Sequence, residues 1–176
     1  MIQIKVPVTS DELDDVRALM RAFNSWHRQR HPQDLDLIDS YFDAAAFEEE
    51  LASLPGKYSP PDGQLLLALI DDTPAGCVAL RKIDSEACEM KRMFVYPAYH
   101  GHGVGKALGE AVIDAAREAN YRVMRLDTRI RQIEAQQLYS RLGFRSIAPY
   151  YELTDDLREW LVFMELQLDD SRPLVS

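Results

Sequence analysis

Apolar positions fall in two distinct rhythms along this chain, and the rhythm changes mark its elements. Ile2–Val6 alternates apolar and polar residues, as a half-buried strand does. Thr9-x-x-Glu12 has the form of a capping box, and the helix it opens carries Leu13, Val16, Leu19, Met20 and Phe23 on one face. That helix fades over residues 28–32, because Pro32 disfavours helix in the residue before it. Asp39–Leu54 is predicted as a second amphipathic helix, closed by Pro55-Gly56. Gln64–Ile70 is nearly all apolar, the pattern of a strand covered on both faces. Asp71–Pro74 turns the chain into a hairpin with Ala75–Arg81, and Ala87–Val95 adds a third strand that Pro97 ends. A helix over Gly103–Ala119, a strand over Arg122–Thr128, a short helix over Gln132–Leu142 stopped by Gly143, and strands beginning at Phe144 and Leu161 complete the order. The polar tail Asp169–Ser176 is expected to fray. This order predicts an α/β fold, one mixed sheet with helices on both faces, in a single domain over residues 1–176.

Composition narrows the functional classes. Hydrophobic residues make up 47 % of the 176, enough for one core. Lys and Arg number 20 against 29 Asp and Glu, a net charge of −9. That argues against a nucleic-acid binder, which needs a basic face, and is compatible with a cationic acceptor. Cys77 and Cys88 sit in apolar strand segments and are expected to be buried core residues. No apolar run approaches membrane-spanning length and no signal peptide is evident, so a cytoplasmic protein is expected.

The chemistry concentrates in Tyr99-His100-Gly101-His102-Gly103-Val104-Gly105-Lys106, three glycines at alternate positions between a strand and a helix. Glycines let a ligand approach the backbone, and the following helix offers unpaired N–H groups and its positive dipole end to a phosphate. A P-loop needs four residues between its glycines and a hydroxyl after the lysine. Here three residues separate Gly101 from Gly105, and Ala107 follows Lys106. A dinucleotide fingerprint is incomplete too, although Asp127 lies where a ribose-binding acid would. A dinucleotide enzyme therefore stays open at this point.

His100-Gly101-His102-Gly103-Val104-Gly105 resembles the Arg/Gln-x-x-Gly-x-Gly/Ala signature of the GNAT superfamily of N-acetyltransferases. Cys88–Pro97 resembles that family's fourth strand, and Ala135-Gln136-Gln137-Leu138-Tyr139-Ser140-Arg141-Leu142-Gly143-Phe144 its A-x-x-L-Y-x-x-x-G-F segment. The resemblance covers residues 64–168 closely and the first 60 by element order. It implies a mostly antiparallel central sheet and acetyl-coenzyme A as cosubstrate. Main-chain contacts to it would come from Met93, Phe94 and Val95, with the N–H of Val95 or Phe94 facing the thioester oxygen. Its pyrophosphate would lie on His100, Gly101, His102, Gly103, Val104, Gly105 and Lys106. It also implies that the acceptor, a primary amine of a small molecule or peptide, enters by the first two helices, near Trp26, His27, Tyr41 and Phe42. Homodimers are common in the superfamily. Two positions depart from the pattern: His100 replaces Arg or Gln, and Gln132 stands where many members have Asn, with an altered grip on coenzyme A expected there. A charged His100 on a phosphate would make coenzyme affinity weaken as pH rises through the histidine range.

For catalysis, Glu89 is the expected general base, since a carboxylate in a half-buried strand position can take an ammonium proton. It is otherwise a strand residue paired with Lys91 or Arg92. Tyr139 is expected beside the coenzyme sulfur as acid or hydrogen-bond donor to the thiolate, the alternative being a core aromatic packed with Leu138 and Leu142. His100 and His102 find no third ligand nearby, so no metal is expected. Lys106 serves a phosphate or solvent. Tyr58, Tyr150 and Tyr151 are rim candidates. Attack is expected to be direct, in a ternary complex, because Cys88 alternates away from Glu89. A non-catalytic coenzyme A binder of the same fold is the rival from another class.

Overall fold

The computed structural model describes residues 1–168. Seven strands form one sheet: β1 (Ile2–Lys5), β2 (Gln64–Ile70), β3 (Thr73–Lys82), β4 (Ala87–Val95), β5 (Val123–Arg129), β6 (Arg145–Ile147) and β7 (Leu161–Gln167). Their spatial order is β1-β2-β3-β4-β5-β7-β6, and only β4 and β5 run parallel. Six α-helices accompany them: α1 (Ser10–Arg30), α2 (Leu35–Tyr41), α3 (Ala44–Ala52), α4 (Val104–Glu118), α5 (Ile133–Arg141) and α6 (Asp155–Trp160). The mixed sheet with helices on both faces is therefore as expected.

Alternation explains why the β2 segment is apolar throughout. Leu65 and Leu67 face α1 and α3, packing with Val16, Leu19 and Leu51. Leu66 and Ala68 face α4, packing with Leu108 and Val112. Each face thus has its own core, and a third cluster joins Ile38 of α2 to Trp160 and Phe163 at the far edge. Thr9 and Glu12 close the capping box at the start of α1.

Three expectations are corrected. Residues 39–54 are not one helix: Phe42 is extended, and the Asp43 carboxylate accepts from the Ala46 N–H to start α3 afresh. A local N-cap outcompetes continuous amphipathic spacing there. The six-residue α6 has no counterpart in the sequence reading. Tyr58 is not at any rim; it is fully buried against α1 and α3.

The feature that matters most for function is a bulge in β4. Ala79 opposes Lys91, but Cys77 opposes Phe94, so β4 carries an extra residue. Arg92 there adopts φ +58°, a conformation L side chains rarely take. Its side chain anchors the distortion. The guanidinium donates twice to Glu50 of α3, at 2.8 and 3.1 Å, and lies over the Phe42 and Phe47 rings. The Cys77 thiol donates to the Arg92 carbonyl at 3.4 Å. Burial raises the Glu50 pKa, but Arg92 and then Lys57 outweigh it and hold the carboxyl at about 2. Such a carboxylate contributes stability above its unfolded pKa near 4.5 and loses it as pH falls toward 2. Glu50→Ala is therefore expected to cost about 3 kcal/mol at pH 7 in chemical denaturation, because it strands a buried charge. The gap from wild type should narrow below about pH 4.5; a cost under about 1 kcal/mol at pH 7 would show that the pair does not hold the bulge.

Candidate active site

β4 and β5 pair only at Ala87–Val123, Cys88–Met124 and Glu89–Arg125, and beyond Glu89 they part. Each is held by its other neighbour. β5 stays in register with β7 along its whole length, Val123 opposite Gln167 through Arg129 opposite Leu161. β4 follows β3 around the Arg92 bulge. The gap between them is a cavity of about 390 Å³ walled by both strands, the loop before α4, α5, and residues of α1 and α2. Over Met90–Val95 the edge of β4 that faces β5 has no ladder partner, so its main-chain groups are available to an extended ligand.

One wall is the glycine loop. Gly101 and Gly103 take φ +81° and +84°, which glycine adopts at no steric cost. Gly103 caps α4 without any side-chain hydrogen bond, leaving first-turn N–H groups for a ligand. Gly105 has a different reason: a Cβ there would lie 3.2 Å from Leu138 of α5, so glycine lets the two helices meet at this wall. Met93, Phe94, Val95, His100, Val104, Gln132 and Tyr139 also line the cavity, whereas Glu89, His102 and Lys106 do not. The His100 ring lies with Nε2 3.0 Å from the Val95 carbonyl. That contact needs only an Nε2 proton, which a neutral tautomer carries, so it calls for no charge on the ring. Lys106 pairs with Glu110 at 3.7 Å in an exposed contact.

Tyr139 lines the cavity, 6 % exposed, its ring edge-on to Phe144. Its hydroxyl has no protein partner among the described residues. Burial, and secondarily Asp127, push the phenol well above its ordinary pKa, so it stays protonated. Gln132 braces the opening. Its amide oxygen accepts from the Thr128 hydroxyl at 2.9 Å and the Arg129 N–H at 3.2 Å, and its nitrogen lies 3.0 Å from His27 Nε2. One side chain thus ties the end of β5 to α1. Because the amide nitrogen donates, His27 Nε2 accepts and the His27 proton sits on Nδ1.

The α1–α2 face of the sheet carries a second set of groups. Glu89, 1 % exposed, accepts from Arg81 Nε at 2.8 Å and from the Tyr150 hydroxyl at 2.6 Å. Asp127 accepts from the Tyr41 and Tyr151 hydroxyls, each at 2.7 Å. Asp127 lines both the main cavity and a neighbouring one of about 430 Å³ that Glu89 also lines. Burial pushes the phenols of Tyr41, Tyr150 and Tyr151 well up, so all three are firm donors. Tyr151, 37 % exposed, lines the second cavity, while Tyr150 lines neither cavity and reaches the site through its bond to Glu89. Trp26, Tyr41 and Phe42 line the main cavity, while His27 is fully buried behind it.

Arg129, two residues beyond Asp127 on the same face, was missed in the sequence. It is 4 % exposed and lies 5.0–5.9 Å from the ring centres of Phe23, Tyr41, Phe42 and Trp160. Burial pulls its pKa down to about 10, so it is charged at neutral pH. Charged residues alternating on an otherwise apolar strand were the available signal. Both cysteines are buried with thiol pKa values pushed up to about 12, leaving no reactive thiolate. No group of His, Cys, Asp or Glu that could hold a metal occurs among the described residues, and none of their helices is long and apolar enough to cross a membrane.

Comparison with known proteins agrees with this geometry. The model of the acetyltransferase (GNAT) family matches residues 15–144. An uncharacterized N-acetyltransferase of Schizosaccharomyces pombe is 35 % identical, over 68 % of this chain and 82 % of its own. N-acetylaspartate synthetase of Danio rerio is 32 % identical, over 67 % of this chain but 42 % of its own. Among solved structures, an N-acetyltransferase of Thermoplasma acidophilum in complex with coenzyme A superposes with TM-score 0.71 at 19 % identity, over 95 % of this chain and 99 % of that one. The chain belongs to the GNAT acetyltransferase family, and with that the dinucleotide alternative falls away.

His27 yields a test of how the opening is built. Burial first, then the charge of Arg129, pull its pKa from 6.5 to about 2. The unfolded chain takes up a proton that the folded one refuses, so stability present above about pH 6.5 is lost as pH falls. The slope should approach about 1.4 kcal/mol per pH unit between pH 6 and 4.5. Denaturation of His27→Gln over that range should give a flatter profile; one parallel to wild type would place the acid sensitivity elsewhere.

Proposed function

We propose that this chain transfers the acetyl group of acetyl-coenzyme A to a small-molecule primary amine by direct attack in a ternary complex. The carrying observation is the parting of β4 from β5 after Glu89, with the uncapped glycine loop and Tyr139 on the walls of the gap. The pyrophosphate rests on the N–H groups of Gly101–Lys106 and the start of α4. The pantetheine arm lies along the free edge of β4 at Met93–Val95 as an added strand. The N–H of Val95 or Phe94 faces the thioester oxygen, where negative charge develops.

The amine enters from the α1–α2 face and loses its ammonium proton to a carboxylate. Glu89 and Asp127 share the second cavity on that face, and Asp127 also reaches the main one. The free amine attacks the thioester carbon, the C–S bond breaks, and the departing sulfur takes the electron pair. The second nitrogen proton leaves as the amide forms, and one proton ends on the thiol. A phenol held as high as Tyr139 steadies the thiolate by donating a hydrogen bond rather than by full transfer. An amino acid is one amine of the required size, as the zebrafish relative's name states for that protein.

Thiol release from acetyl-coenzyme A, measured with a panel of amino acids, polyamines and aminoglycosides, tests this function. Tyr139→Phe keeps the packing and should lower kcat by about 100-fold or more while the acetyl-coenzyme A Kd stays within about twofold. Unchanged kcat would remove Tyr139 from the chemistry. Tight coenzyme binding without thiol release from any acceptor would favour a non-catalytic binder.

A further inference from the structure

An acidic protein has carboxylates to spare for its cations, and the arginines around this cavity are paired with one exception. Arg30 pairs with Glu134 at 2.9 Å, Arg92 with Glu50 at 2.8 Å, and Arg131 with Asp34 at 2.9 Å. Arg129 has neither an ion pair nor a side-chain hydrogen bond among the described residues, and its Nη1 is buried without a partner. It is nevertheless one of the most buried charges in the chain, at 4 % exposure. Aromatic rings of α1, α2 and α6 lie around the guanidinium, and the side chain lines the cavity. Rings satisfy a cation's field but give its N–H groups no acceptor in their plane. A guanidinium with free donors, whose charge meets rings and only the through-space field of Asp127 and Asp34, is built for a planar, bidentate anion.

Position decides which anion. Arg129 and Asp127 share one strand face, with Cα atoms about 7 Å apart, and that face looks toward Tyr41 and Phe42. The coenzyme's phosphates have their own site on the loop before α4, built by Gly101 and Gly103. Resting on the acetyltransferase function proposed above, we propose that Arg129 is a specificity-determining residue that receives the carboxylate of the acceptor, making the acceptor a small amino acid whose amine is turned toward Asp127. Polyamines and aminoglycosides bring a second positive charge toward Arg129 and Lys91 and are disfavoured. Peptide N-termini lack a carboxylate next to the amine and leave Arg129 unpaired.

Two measurements on the full chain separate this from the function on which it rests. In the first, protein saturated with coenzyme A is titrated calorimetrically with amine-free carboxylates (isobutyrate, succinate, phenylacetate). At least one should bind saturably to wild type, Arg129→Met should lose it, and Arg129→Lys should keep part of it. In the second, thiol release is compared across each amino acid, its carboxamide and its decarboxylated amine. The free acid should lead the carboxamide by about 10- to 100-fold in kcat/KM, carried mainly by KM. Arg129→Met should erase that lead while acetyl-coenzyme A affinity, the check on folding, is unchanged. Carboxamides or simple amines used as well as the acids, or a lead that survives Arg129→Met, overturns the proposal while leaving the acetyltransferase intact. Carboxylate binding that depends on Arg129 without turnover of any acceptor supports the site and sinks the proposed reaction. Absence of carboxylate binding in wild type overturns the proposal whatever the kinetics show.

Discussion

A parallel strand pair that stops pairing after three residues must be held open from both sides. Left to themselves, the free N–H and C=O groups of β4 and β5 would zip together, since unpaired buried main-chain groups are costly. Here the full register of β5 with β7 fixes one side. The Arg92 bulge, clamped through Glu50 of α3, bends the other away. Gln132 then ties the open end of β5 to α1 through His27. The cavity follows from these constraints, and the glycine loop and Tyr139 gain meaning only because they border it.

The charge distribution runs opposite to what bulk composition suggests. A net charge of −9 is compatible with a cationic acceptor, yet the proposed acceptor side of the cavity holds Arg129, which has no ion pair among the described residues, and Lys91 beside Asp127, with Glu89 adjoining through the second cavity. Surface acidity serves solubility and is screened within about 10 Å at moderate salt. What a bound ligand meets is the local arrangement in a site from which water is largely displaced. Composition therefore bears on partners at large, such as nucleic acid, and says little about which acceptor the local site would take.

Much of the architecture was legible because its causes are local. Strand β2 announced its two covered faces, the capping box its helix, and the glycines of residues 100–105 the turn that opens α4. Asp43 shows the limit: apolar spacing argued for one helix over residues 39–54, and its cap on α3 emerges only in the structure. The site was half legible. The wall proposed for the coenzyme lies largely in one contiguous motif. The wall proposed for the acceptor is assembled from distant segments, Tyr150 reaching Glu89 across 61 positions and Tyr41 reaching Asp127 across 86. No spacing rule links such residues. Arg129 fell just beyond the predicted strand, and its aromatic surroundings, drawn from α1, α2, α6 and Phe42, mark it as a buried charge.

The central claim is that the parted strands are the seat of the coenzyme. Amide hydrogen exchange of the full chain, with and without acetyl-coenzyme A, tests it most directly. The account predicts new protection at Met93–Val95 and at Gly101–Lys106, with β1 and the β2–β3 hairpin unchanged. Saturating acetyl-coenzyme A that leaves Met93–Val95 exchanging as in the free protein would contradict it.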